Sequence, residues 1–167
     1  RSFFQTMLVL PMVVPIIVTA VSLYFLYSRI GLTGSLTGLI IAHATVAVPF
    51  VVVTVGGALA SFDFTLVRAG NSLGATPWRC FWKITFPLIL PGIISGMIFA
   101  FITSFDDVVI ALFIANAPQW TLPRQMWSGL RENVDPTILA AAVLLTVTTI
   151  SLQLGLELIK RNRKWAA

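Results

Sequence analysis

Four long apolar stretches alternate with short polar ones along the chain. They cover about residues 4–27, 36–59, 88–115 and 137–158. A helix of roughly 20 residues crosses the ~30 Å hydrocarbon core of a bilayer, and each stretch reaches that length. The pattern predicts an all-α fold, a polytopic transmembrane helical bundle with about four spans in a single domain over residues 1–167. Between the second and third spans lies the longest run that does not fit a bilayer, residues 62–92, FDFTLVRAGNSLGATPWRCFWKITFPLILPG.

The spans differ in texture. In the first, Pro11 and Pro15 stand a turn apart. Proline inside a soluble helix costs about 3 kcal/mol, and neighbouring helices can re-satisfy the freed carbonyls in a bundle. A kinked helix is expected. The second is dotted with small residues, Gly38, Ala42, Ala47, Gly56, Gly57 and Ala60, which let helices approach closely in lipid. It also holds His43 and Pro49. An intramembrane histidine is a functional candidate, or equally an imidazole bonded to a nearby carbonyl. The third runs for about 28 residues, some 42 Å as a helix, too long for one upright span. Its first turns lie below the bilayer, its end folds back, or it tilts strongly. Residues 116–135 form a polar outer loop whose tryptophans, Trp120 and Trp127, suit a membrane interface. Asp135 and Pro136 supply an N-cap and first-turn proline for the last span.

Two short helices are expected within the central polar run. Asp63 is a candidate N-cap for a helix over residues 64–72, and Gly74 suits the left-handed position that ends it. Thr76 then caps a second helix with Pro77 at its first position, where a missing N–H costs nothing. Trp78, Phe81 and Trp82 share one face at spacings of three and four, and Arg79 and Lys83 share another. Pro87 is expected to start the return into the membrane. Periodicity leaves open whether this pair lies on a membrane surface or packs into a partner's groove.

Composition supports the membrane reading. Of the 167 residues, 57% are hydrophobic and 10% charged, against about 25% charged in soluble domains. The net charge of +5 does not argue for nucleic acid, because the basic residues cluster at the ends of apolar segments. Arg68, Arg79 and Lys83 in the central run and Lys160, Arg161, Arg163 and Lys164 in the tail fall on one side of the membrane. The positive-inside rule makes that side the cytoplasm. The protein is expected in the inner (plasma) membrane, with the central loop and the C-terminus cytoplasmic. The opening Arg1, without an initiator Met, leads us to expect further N-terminal spans.

Little else in the chain carries chemistry. One cysteine, Cys80, and one histidine exclude an intrachain disulfide and argue against a metal site. There is no phosphate-binding loop and no hydrolase or metalloprotease motif, so no catalytic residue and no cofactor are expected. The sharpest feature is Asp106 beside Asp107, with Ser104 just before. A carboxylate at mid-bilayer costs about 2.5–3.5 kcal/mol, so two together need a reason. They form a cation site on a transport path, or one pairs with an arginine, or both mark a helix end at the outer interface.

The central run resembles the cytoplasmic loop of ABC importer membrane subunits, which has the form EAA, three residues, Gly, nine residues, Ile, one residue, Leu-Pro. The matching residues are Arg68, Ala69 and Gly70, then Gly74, Ile84, Phe86 and Pro87. Gly74 to Trp78 and Pro87 to Gly92 are similar to this family too. Arg68 stands in place of the acid, Gly70 in place of the second alanine, and Phe86 in place of leucine. Residues 48–55, 104–110 and 121–123 look most like the second permease subunit of spermidine/putrescine importers.

The resemblance implies six spans per subunit, of which these are the last four. It implies a coupling loop over residues 62–87 that meets the ATPase through Arg68, Ala69, Gly70, Gly74, Ala75, Thr76, Trp78 and Phe81. It implies a polyamine path at Ser104, Asp106 and Asp107. The partners it implies are a cytoplasmic ATP-binding subunit dimer, a second permease subunit and a periplasmic or extracellular solute-binding protein, all around the lipid bilayer. Two other functions fit the residues: an importer of the same build for another organic cation or a metal chelate, and a membrane scaffold without transport.

Overall fold

The computed structural model describes residues 2–132 and 136–164. All regular structure among them is helical. The helices are α1 (Ser2–Val13), α2 (Ile16–Ile30), α3 (Leu36–Ala60), α4 (Thr65–Ser72), α5 (Pro77–Cys80), α6 (Phe86–Phe105), α7 (Val109–Ile114), α8 (Leu122–Glu132) and α9 (Pro136–Lys164). A π turn, Phe81–Thr85, joins α5 to α6, and a 3-10 turn, Ala117–Gln119, precedes α8. Among the described residues three helices are long and apolar enough to cross a membrane, or four if α1 and α2 together form one broken span.

The second and last spans lie where the hydropathy pattern puts them, and three features differ from expectation. The first stretch is two helices instead of one kinked helix. Pro11 is accommodated inside α1, whereas Pro15 has an extended ψ of 132° and acts as the cap of α2. The residue before a proline is pushed out of the α region, so the break falls at Val14. Pro87 does not restart the chain. Pro77–Phe105 is one continuous helical run, and the π turn lies just before the proline. Phe86 N–H reaches back five residues to Phe81 O, and the next residue, Pro87, has no N–H to give. The 88–115 stretch resolves at its far end, where the chain leaves helical geometry at Asp106–Val108 and restarts as α7. Helix α8 also occupies much of the stretch after residue 116 that was expected as a loop. Asp135 lies outside the described residues.

The chain divides into two compact units. One comprises Arg1–Val14 and Ala44–Ser104, the other Pro15–His43 and Phe105–Ala167. In the first, α3 and α6 meet through glycines. A Cβ on Gly92 would stand 2.6 Å from Ala58 Cβ, and one on Gly96 would stand 3.0 Å from Val51 Cα. Phe50 and Phe99 stack at 6.5 Å along the same contact. Apolar burial gains little in lipid, so this close approach is what holds such helices together.

In the second unit α7 packs along α2. Ala20 and Tyr27 of α2 are buried, and so are Ile110, Ala111 and Ile114 of α7. Gly34, at φ +68°, brings the turn before α3 against the chain after α7; a side chain there would collide with Asn116. Gly129 of α8 gives room to Ile138 of α9.

Candidate functional site

The first candidate is the 62–87 loop. Asp63 holds the start of α4, accepting from Thr65 N–H at 2.8 Å and from the Thr65 hydroxyl at 2.5 Å. These two bonds, the hydroxyl foremost, hold its carboxyl below the usual carboxylate range. Gly74, at φ +82°, ends the helix. Its N–H bonds Asn71 O at 3.0 Å and Ala75 N–H bonds Gly70 O at 3.1 Å, the paired closure of a Schellman motif. Thr76 then caps α5, accepting from Arg79 N–H at 3.4 Å, with Pro77 at the first position.

The two short helices pack tightly at one point. A Cβ on Gly70 would lie 2.9 Å from both Cys80 Sγ and Ile84 Cδ1. Cys80 is buried, and its thiol lies 3.2 Å from Asn71 Oδ1. This accounts for glycine at a position where the motif has alanine. Arg68, Ala69, Gly74 and Thr76 are exposed around this contact, and Ala75 is half-buried.

Trp78 is 70% exposed, with Phe81 and Trp82 also open. Trp78 stacks on Phe81 at 6.1 Å, and Trp82 lies edge-on to both at 5.7 and 5.3 Å. The aromatic face read from the spacing is therefore a continuous apolar surface outside the packed helices.

The second candidate is the break after α6. Ser104 is half-buried in the last turn of α6. Asp106 is exposed and Asp107 is buried. Asp107 Oδ2 accepts from Ile110 N–H at 3.0 Å and from Ala111 N–H at 3.3 Å, so it caps α7. His43 Nε2 of α3 stands 3.6 Å from the same oxygen, longer than a hydrogen bond and within ion-pair range. Asp107 Oδ1 is buried without a hydrogen-bond partner among the described residues.

The far end of α7 is held as firmly. Gly34 N–H donates to Ile114 O at 2.8 Å, and the Arg124 guanidinium donates to Ala115 O. Arg124 also lies over the Trp120 ring at 4.7 Å. An acceptor at its start and a cation at its end thus meet the N–H and C=O groups that a helix leaves unpaired at its two ends.

The sequence reading missed three participants: the glycine pair Gly92 and Gly96, the Arg124 anchor, and His43 as a neighbour of Asp107. The spacing of four between the glycines was a signal for the first. Nothing local announces the other two.

A helical membrane component with an exposed, two-helix polar loop is the class that the fold defines. The chain belongs to the family of binding-protein-dependent transport system inner membrane components, whose model matches residues 1–164. The family is non-catalytic, and its members are multi-pass proteins of the inner membrane. The chain is 33% identical over 163 residues to the spermidine/putrescine transport system permease protein PotC of Escherichia coli (strain K12), covering 98% of this chain and 62% of that protein. It is 37% identical over 149 residues to the putrescine transport system permease protein PotI of the same strain, covering 85% and 53%. It is 31% identical over 165 residues to the molybdenum transport system permease protein ModB of Mycobacterium bovis, covering 89% and 61%. The chain thus spans less than two thirds of these relatives. A chain of the MetNI methionine ABC transporter, solved in inward-facing conformations, has the same fold, with a TM-score of 0.74 and 21% identity over 96% of this chain and 73% of that one.

Proposed function

We propose that the protein is the permease subunit of an ATP-driven importer for polyamines of the spermidine and putrescine type. The family match along residues 1–164 supports the transport role most directly. The likeness to PotC and PotI supports the solute class. Asp106 adds a physical reason: it is an exposed carboxylate just past the end of a candidate span, with Ser104 two residues before it. A polycation leaving water needs compensating charge on its route.

In this reading an ATP-binding subunit dimer, a second permease subunit and an external solute-binding protein complete the importer. The 62–87 loop and the C-terminus face the cytoplasm. Closure of the ATPase dimer pushes on the exposed face of Trp78 and Phe81. The helical run Pro77–Phe105 carries the push to Ser104, a distance of roughly 40 Å. Gly74 sets the angle between α4 and α5. Ser104 and Asp106 line the substrate path, and Asp107 belongs to it as the buried acid that anchors the break beside them.

Uptake of labelled spermidine by the full-length protein, reconstituted with its partners in proteoliposomes, tests the reading. Uptake is expected to need ATP and to be blocked by unlabelled putrescine, and Asp106→Asn is expected to slow it roughly ten-fold, as about 1.4 kcal/mol on a barrier would. ATP-dependent uptake of another solute that polyamines do not compete with would overturn the solute assignment. The similar identity to ModB favours keeping that second reading, an importer of the same build for another organic cation or a metal chelate.

A further inference from the structure

The two adjacent acids are not equivalent. Asp107 is 7% exposed, and the N–H groups of Ile110 and Ala111 in the first turn of α7 both bond to its Oδ2. Asp106 is exposed. The backbone between α6 and α7 leaves helical geometry for only three residues, so the direction in which Asp106 points depends on how Asp107 is held. His43 is the side chain that approaches the capping oxygen from another element, and it does so through Nε2. It is itself buried, at 9% exposure, next in the chain to the fully buried Ala42.

We propose that His43 is a positioning residue for the transport path. Its imidazole holds the Asp107 carboxylate in place as the cap of α7, and the pinned break turns Asp106, alone of the pair, toward a cationic solute. His43 and Asp107 touch no solute; they set the geometry of the acid that does. The inference rests on the polyamine reading for the identity of the solute, and on the structure alone for the geometry.

The test separates the two. Asp106→Cys is introduced into the full-length assembled transporter, and its reaction with a hydrophilic methanethiosulfonate reagent is timed. The parent, whose only cysteine in this region, Cys80, is 1% exposed, gives the background. His43 is then changed to Gln or to Asn in the Asp106→Cys protein. A glutamine amide reaches the place of Nε2, and an asparagine amide reaches only that of Nδ1. The expected result is that His43→Gln keeps the thiol rate within about two-fold, and His43→Asn shifts it by about five-fold or more, the scale of a lost helix cap. Equal rates in the two variants would overturn the proposal.

In the protein that retains Asp106, uptake of spermidine per assembled complex is expected to follow the same order, with His43→Gln active and His43→Asn impaired. If the wild-type protein carries no polyamine, the solute assignment fails while the thiol rates still decide the role of His43. His43→Leu is not needed, so a fold too damaged to assemble does not decide the outcome.

Discussion

Helices α4 and α7 are both short, and an aspartate precedes each and accepts backbone N–H groups of its first turn: that of Thr65 in α4, those of Ile110 and Ala111 in α7. Their settings are opposite. Asp63 is exposed, its second partner is the hydroxyl of its own neighbour Thr65, and α4 has no buried residue. Asp107 is buried beside His43, and α7 presents Ile110, Ala111 and Ile114 to a packed interior. The end of α4 closes on itself through Gly74, whereas the end of α7 is closed by Gly34 and Arg124 from distant segments. Local closure makes α4 an element that keeps its shape while leaving its surface for something else to grip. Closure from outside makes α7 a fixture of its unit.

Deleting the two caps breaks or sustains this contrast most sharply. Asp107→Ala strands the N–H groups of Ile110 and Ala111 inside the protein, and is expected to cost about 2–3 kcal/mol, seen as a lower Tm of the purified protein in detergent. Asp63→Ala is expected to leave Tm unchanged, since water replaces the lost acceptor. Equal losses would mean that burial does not distinguish the two caps.

The next effect lies inside the loop. Gly70→Val drives atoms into Cys80 and Ile84 and is expected to cost about 1–3 kcal/mol, read as faster proteolytic clipping between residues 62 and 87. Gly74→Ala meets nothing within 4 Å and is strained only through its left-handed φ, by roughly 1–2 kcal/mol. Assembly is expected to survive it and uptake to fall.

The smallest effect is that of pH on the α4 cap. Its bonds to Thr65 lower the Asp63 pKa, so their contribution is complete above the unfolded value of about 3.9. It fades as pH falls through the lowered folded value. Hydrogen exchange at Thr65 is expected to be protected at neutral pH and to quicken only in stronger acid, and Asp63→Asn is expected to remove that dependence.

The same contrast explains what could be read in the sequence. Every device that shapes α4 and α5 is local: Asp63 two residues before Thr65, Gly74 at the turn, and Thr76 with Pro77. Each is visible within a window of a few residues, and the aromatic face follows from helical spacing. The second and last spans were legible from hydropathy alone, whereas the breaks at Pro15 and after Phe105 were not. The devices around α7 are not local. His43 lies 64 positions before Asp107, and Arg124 reaches a carbonyl nine residues back, so neither can be paired from spacing. The continuity of the helix through Pro87 was not legible either, because it depends on the π turn just ahead of the proline. Arg68 stays exposed at the place where the family motif has an acid, and nothing within the described residues explains it.

The proposed contact between the ATPase and this membrane subunit is the exposed aromatic face of the 62–87 loop. A photo-cross-linking amino acid at Trp78, in the full-length protein assembled with its partners in a membrane, tests it most directly. Cross-links to the ATP-binding subunit are expected, with a yield that changes when ATP is added. Cross-links confined to lipid, in a complex that is assembled and transporting, would contradict it.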